Sequence, residues 1–302
     1  MKTYLLWVVA LALTIPMASQ KMAAPFNVYP TASYATLQKK TQAPIVSAHR
    51  GGRFIAGFPE NALETFQHVT SMAPVLIECD VNMSSDSVLF LMHDNTLNRT
   101  TNGQGKVQET PWREIKSLNL KDDYGKLTPY HPPALSDVLD WGFNRTAFTL
   151  DVKRGVPIEK VVEAIRKRGA INSASVITYN YEDALRAYLE DPRVKISVNI
   201  RNEGEFRRYV NGPFNLKNLM AFTGLTARSP AFYKMLKDAG MKVIVGTIGN
   251  LDKSAMAKGN QVYYQLHERG ADILATDRPL AVFRAFQRQP SLKKVDQLNF
   301  KN

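Results

Sequence analysis

Within residues 45–93, three short apolar runs each end in ionisable side chains. Ile45-Val46-Ser47-Ala48 runs into His49-Arg50, Leu76-Ile77 into Glu78-Cys79-Asp80, and Val88-Leu89-Phe90-Leu91-Met92 into His93-Asp94. A strand buried along its length and polar at its C-terminal end is the pattern of an α/β barrel, in which the chemistry is built where the strands stop. Each end alone has an ordinary reading: a solvated strand exit for His49-Arg50, a polar strand face for Glu78 and Asp80, a cap or turn for His93. Three such ends in one short window point to a shared site.

Glu78 and Asp80 stand two apart, so in a strand both carboxylates face the same way, and adjacent anions repel unless a cation lies between them. Only Asn82 to Ser87 separate that run from the next, fewer than the ~12 residues a parallel crossover needs. A tight turn at Ser85-Asp86 sets position 78 opposite 93 and 80 opposite 91, with His93 beside the carboxylates. A barrel lacking one helix leaves His93 ending its own strand at the same mouth. Both arrangements gather one Glu, one Asp and one His.

The rest of the chain alternates. Strands are expected at 147–151, 176–178, 194–198, 219–223, 242–247 and 272–276, and helices at 60–72, 157–168, 181–189, 230–237 and 261–269. Alternating βα units over this length predict a (β/α)8 TIM barrel at 44–290, with one strand too many that the irregular 78–93 region can absorb. Residues 94–142, rich in Thr, Asn, Gly, Lys and Pro, carry no sustained period. His68 falls off the buried face of its helix and is expected in solvent; His131 and His267 lack acidic strand-end company and read as structural or exposed.

The succession His49-Arg50, Pro59-Glu60-Asn61, Glu78-Cys79-Asp80, His93-Asp94 and Arg99-Thr100-Thr101-Asn102-Gly103 continues through Leu150-Asp151-Val152-Lys153 and closes with Ala271 to Pro279. It resembles the glycerophosphodiester phosphodiesterase family over residues 44–280. The resemblance implies a TIM barrel with an insertion after the His93 strand, at about residues 94–142, that lies over the mouth and shapes substrate access. It implies hydrolysis of glycerophosphodiesters to glycerol 3-phosphate and an alcohol, begun by attack of a neighbouring substrate hydroxyl through a cyclic phosphate. It places an acidic metal ligand at Asp151 and a phosphate-binding lysine at Lys153. Glu78, Asp80 and Asp151 then hold one divalent metal, Ca2+ or Mg2+, because all three are hard oxygen donors. Arg50 and Lys153 bind the phosphate, and His49 and His93 supply the acid and the base, their order left open. Glu60, Asn61 and Asp94 form a supporting shell, with a helix-start role as the alternative for Glu60 and Asn61. Asp151 stands where the family more often has Glu, which leaves open a contact to the cation through water. Gly246 replaces a common tryptophan and Thr178-Tyr179 a common Ser-Phe pair, so packing around the glycerol is where this chain departs.

Lys2, the apolar run at 4–15 and the small residues Ala18 and Ser19 read as a secretory leader within 1–24, the run being too short to cross a bilayer. Residues 25–43 are an extended lead-in, 291–302 a tail, and the expected location is periplasmic or secreted. Cys79 is the one cysteine, which excludes an internal disulfide and suits core packing. A net charge of +12 favours anions: a small-molecule phosphodiester first, with contact to an anionic membrane surface in reach. No arginine-rich run or aromatic-interleaved basic stripe supports nucleic acid, and no obligate protein partner is expected. Two rivals remain. A phospholipase of C or D type on intact lipid would show an exposed apolar rim within 94–142, for which Trp112 and Tyr130 are candidates. An exported protein that binds glycerophosphodiesters without turnover would have little need of both histidines.

Overall fold

The structure is a computed structural model that describes residues 43–287. The expected leader, nearly all of the lead-in and the C-terminal tail lie outside the described residues. In chain order the strands are β1 (Ile45–Ala48), β2 (Leu76–Met83), β3 (Leu89–Leu91), β4 (Phe148–Val152), β5 (Ala174–Thr178), β6 (Lys195–Asn199), β7 (Leu219–Phe222), β8 (Lys242–Gly246) and β9 (Ile273–Thr276). All but β3 are parallel and close into an eight-stranded ring, with β1 pairing both β2 and β9. The chain is therefore a TIM barrel.

Side chains along each strand alternate between the barrel interior and the surrounding helices. Ile45, Leu76, Ala147, Met220, Ile244 and Ile273 form one apolar cluster, while Val46, Ala48, Ile77, Cys79, Val81 and Leu150 belong to a larger one that includes the helices' buried faces. The cluster of six shares the inward parity and plugs the base of the barrel. Followed toward the C-terminal ends, the same parity reads Ser47 to His49, Leu76 to Glu78 to Asp80, and Thr149 to Asp151 to Lys153. Each strand thus turns from apolar or small at the base to charged at the mouth. Cys79, on the opposite parity, is buried in the helix-facing core.

The helices are α1 (Leu63–Met72), α2 (Trp112–Ile115), α3 (Leu135–Gly142), α4 (Ile158–Lys167), α5 (Tyr181–Glu190), α6 (Glu203–Val210), α7 (Pro230–Asp238), α8 (Asn250–Lys258), α9 (Gln261–Glu268) and α10 (Pro279–Gln287). In α4, Ile158, Val161, Val162 and Ile165 fall at helical spacing and are all buried. Two of the helices without an expected counterpart bury few side chains: Tyr209 in α6, Asp252 and Ala255 in α8. α3 has only two turns, and its Gly142 is required by contact, since a Cβ there would lie 2.1 Å from the Phe148 ring.

The surplus strand is β3, which hangs antiparallel on the end of β2. Its register differs by one residue from the tight-turn expectation: Val81 faces Leu91, Asn82 faces Phe90 and Met83 faces Leu89. The connection is a three-residue loop, Ser85-Asp86-Ser87, closed by Ser84 N to Val88 O at 3.0 Å, with Ser87 in the left-handed region at φ 67°. Asp80 therefore lies level with Met92, whose N donates to Asp80 O at 3.0 Å, and His93 emerges one step beyond.

Between β3 and α3 the chain forms an irregular cap with its own core of Phe90, Met92, Leu97, Val107 and Ile115, on which Trp112 and Leu118 pack. Among the described residues no helix is long and apolar enough to cross a membrane.

Candidate active site

Glu78 and Asp80 point into the barrel mouth from β2, and Asp151 faces Asp80 in register from the adjacent β4. All three are buried, and each offers a carboxylate oxygen within 4.8 Å of the others. Three buried anions in so small a space need positive charge. One ammonium partly supplies it: Lys153 Nζ bridges Asp80 Oδ1 at 2.7 Å and Asp151 Oδ2 at 2.8 Å. Burial would raise the Asp80 carboxyl, but Lys153 and Arg50 outweigh it and hold the group below its ordinary range. Asp151 is raised by burial and by Asp80, with Lys153 opposing. Glu78 makes no ion pair among the described residues and accepts only from Arg50 N, at 2.8 Å. Burial and then Asp80 push its carboxyl up to about 8, with the charge of nearby His49 opposing. A hard-oxygen trio with one carboxylate left uncompensated fits a divalent cation.

Surrounding groups fix the trio. Asn61 donates from Nδ2 to Asp80 Oδ2 at 2.7 Å and accepts Asp80 N at Oδ1 at 2.9 Å, while the Tyr179 hydroxyl donates to Asp151 Oδ1 at 2.8 Å. α1 begins only at Leu63, so Glu60 and Asn61 do not start the helix; their side chains turn to the site instead. Glu60 accepts from Arg50 Nη1 at 2.9 Å and from Arg99 Nη1 and Nη2 at 2.9 and 2.8 Å, and lies 3.2 Å from Arg53 Nη2. Burial works against that charge, but the arginines prevail and hold Glu60 below its usual range. Arg50 Nε lies 3.3 Å from Asp80 Oδ2 without the alignment of a hydrogen bond and is a buried donor left unsatisfied.

His49 leaves β1 through a tight turn in which Arg50 takes φ 55° and Gly51 φ 83°. Gly51 is obligatory on contact grounds as well, a Cβ there falling 2.4 Å from the Phe66 ring. The turn aims His49 Nδ1 at Asp277 Oδ1, 2.7 Å away at the end of β9. Burial lowers the affinity of His49 for its proton, yet the Asp277 hydrogen bond and the Glu78 charge together raise it above the ordinary value. His93 Nδ1 pairs in the same manner with Asp94 Oδ1 at 2.7 Å, and Arg99 grips Asp94 through Nε and Nη2 at 2.7 and 2.8 Å. Both carboxylates accept from Nδ1–H, which leaves each Nε2 for a substrate.

The structure thus gathers His49, Arg50, Glu60, Asn61, Glu78, Asp80, His93, Asp94, Asp151 and Lys153 at one mouth. Sequence reasoning did not assign roles to Asp277, Arg99 and Tyr179. Asp277 has the signal used elsewhere, an apolar run ending in an acid. His68 is a correction: it is half-buried, stacked on Phe58 with ring centroids 4.0 Å apart, and burial holds its proton affinity down. His131 is exposed, and His267 packs on Phe286 with Nδ1 3.0 Å from Ala271 O. A cleft of about 970 Å3 runs from His93, Asp94 and Lys153 past Arg154 to Tyr179 and Arg186.

Fold and site together define a TIM barrel whose mouth carries an acidic cluster that could hold a divalent cation, flanked by two carboxylate-held histidines. The chain belongs to the glycerophosphoryl diester phosphodiesterase family, whose model matches residues 49–281. A crystal structure of a glycerophosphoryl diester phosphodiesterase from Parabacteroides distasonis is 30% identical, with a TM-score of 0.77 over 83% of this chain and 89% of its own. The glycerophosphodiester phosphodiesterase of Caldanaerobacter subterraneus subsp. tengcongensis is 28% identical over 161 residues, 51% of this chain and 65% of its own length. The chain spans less than two thirds of such curated relatives. A phosphodiesterase of Oleispira antarctica, solved with the product sn-glycerol-3-phosphate, shares the fold at 21% identity, with a TM-score of 0.63 over 81% of this chain and 97% of its own.

Proposed function

We propose that the protein hydrolyses glycerophosphodiesters to glycerol 3-phosphate and an alcohol, in a reaction that depends on one divalent cation, Ca2+ or Mg2+. The observation that carries this reading is the pair of histidines, each held at Nδ1 by a carboxylate, one beside Glu78 and the other beside Asp80. Binding alone needs charge, whereas two oriented proton carriers serve a reaction in which one oxygen loses a proton as another gains one.

Glu78, Asp80 and Asp151 would hold the cation, which when bound supplies positive charge to a phosphate group whose own negative charge repels nucleophiles. Lys153, now shared by Asp80 and Asp151, is then available to a phosphate oxygen, and the unsatisfied Nε of Arg50 is a second donor. One histidine takes the proton of a neighbouring glycerol hydroxyl as its oxygen attacks phosphorus. The other gives a proton to the departing alcohol oxygen as that P–O bond breaks. Water then opens the cyclic phosphate with the two roles exchanged. The leader-like 1–24 stretch supports an exported enzyme.

A second reading, action on intact lipid, draws on a different rim from the one Trp112 and Tyr130 suggested. Trp112 packs in the cap core and Tyr130 is half-buried, but Phe54, Tyr124 and Leu127 are exposed, and the Tyr124 hydroxyl ties that turn to Phe54 O at 3.1 Å.

The test is release of glycerol 3-phosphate from a panel of soluble glycerophosphodiesters and from phospholipid vesicles, with and without chelator, by the wild type and by His49→Ala and His93→Ala. Cation-dependent turnover of the soluble diesters, lost in both variants, is expected. Turnover of vesicle lipid alone would favour the second reading, and no turnover of any diester with both cations supplied would overturn the first.

A further inference from the structure

We propose that Arg154 reads the variable alcohol arm of the substrate and that the enzyme favours diesters whose alcohol carries a negative charge. The inference rests on the hydrolase reading above and concerns the cleft of about 970 Å3 that leaves the site at His93 and Lys153. A glycerol moiety of six heavy atoms occupies a minor part of such a volume, at roughly 30 Å3 for a water-sized group. The cleft is therefore sized for the larger, variable arm.

The charges along the cleft are almost all answered within the protein. Asp94 is gripped by Arg99 and His93, and Lys153 by Asp80 and Asp151. Arg186 makes two bonds to Glu159, at 2.7 and 2.8 Å, and lies 3.3 Å from Asp183, which also accepts from Asn180. Arg154 differs. It is exposed, lines the cleft, and among the described residues its guanidinium makes no hydrogen bond or ion pair. Its backbone, by contrast, is fixed. It follows Lys153 in a turn closed by Val156 N to Lys153 O at 3.0 Å, with Gly155 at φ 88°. Gln108 Nε2, from the cap, donates to Arg154 O at 3.2 Å. A held backbone carrying one uncompensated cation, adjacent to the phosphate-binding lysine, gives the cleft a positive bias that an anionic arm would satisfy.

Glycerophosphoserine and glycerophosphoethanolamine differ by one carboxylate on that arm, so the ratio of their kcat/KM values isolates the contact. At low salt the wild type is expected to favour the serine diester about fivefold, the upper end for one exposed charge pair, and the preference should shrink as salt screens it. Arg154→Ala should bring the ratio to about one and Arg154→Glu should invert it. A wild-type ratio of one or below, or a ratio unchanged in Arg154→Ala, would overturn the inference while leaving the hydrolase reading in place. Turnover of neither diester, with Ca2+ and Mg2+ supplied, would overturn that reading and this one with it.

Discussion

His49 Nδ1 lies 2.7 Å from Asp277 Oδ1 across the seam where β1 and β9 close the barrel. The last strand thus orients the proposed proton carrier on the first. Asp252 steadies the acid from behind, accepting Asp277 N at 2.9 Å and the Thr276 hydroxyl at 2.9 Å. Asp277→Asn keeps the shape but removes the charge that raises the proton affinity of His49. Activity should fall about 100-fold or more. The limb of the pH–rate profile set by His49 should also move to lower pH. Movement of the acidic limb would make His49 the proton acceptor in the rate-limiting step, and movement of the alkaline limb the donor. A profile that falls in height with neither limb moving would mean that Asp277 acts only as a brace.

Glu78 makes a prediction about the cation-free protein. Its folded carboxyl sits at about 8, above the 4.5 of the free side chain, so the folded state keeps a proton that the unfolded state releases. Its contribution to stability is fully present below about pH 4.5 and is lost as pH rises through about 8. In chelator, the melting temperature should decline between pH 5 and 8, and Glu78→Gln should flatten that decline. At pH 7, uptake of Ca2+ or Mg2+ should release up to about one proton, read by calorimetry in buffers of different ionisation enthalpy. A heat independent of buffer would show that Glu78 is already ionised.

The barrel and the Glu78–Asp80 pair are legible in the sequence because strand parity has a period of two. That parity puts Glu78 and Asp80 on one face, whereas Asp151 joins them in the sequence only through the family resemblance, and the β2–β4 register then sets it opposite Asp80. The β2–β3 register is not legible, since nothing in Ser84-Ser85-Asp86-Ser87 marks Ser87 as the left-handed residue that closes a three-residue loop; no glycine or asparagine stands there. α6 and α8 escape notice because they bury too few apolar side chains to print a period. Asp277 follows the strand-end pattern, but its partner His49 is 228 residues away, a pairing that only closure of the ring creates. Arg99 lies in an irregular segment, where nothing in the local pattern marks a residue that bonds both Glu60 and Asp94.

Asn61 holds Asp80 by two bonds, one from its own amide and one from the Asp80 backbone, with its backbone at φ 59°. Asn61→Ala leaves Asp80 N without its partner and frees the carboxylate to rotate. Loss of about 1–3 kcal/mol of stability is expected from the unsatisfied buried group. Affinity for the cation should weaken about 10- to 100-fold, as when an orienting partner of a ligand is removed. Melting and cation titration on the same preparation separate the two effects. Unchanged affinity in a destabilised variant would reduce Asn61 to a packing role.

Arg99 spans two carboxylates, Glu60 with its arginines and Asp94 with His93, which flank the proposed phosphate position. Its side chain is 44% exposed, so solvent screening limits what its loss costs in stability to about 1 kcal/mol. The effect on orientation is larger. In Arg99→Met, Glu60 keeps Arg50 and Arg53, but Asp94 retains only His93 and can swing with it. Arg99 touches no substrate in this reading, so kcat should fall about tenfold while KM changes little. Arg99→Lys should recover only part of that loss, because one ammonium cannot reproduce paired bonds to two carboxylates. Steady-state kinetics of the two variants beside Arg113→Ala, an exposed cap arginine, provide the comparison. Equal kcat in Arg99→Met and Arg113→Ala would make the network structural and leave His93 positioned by Asp94 alone.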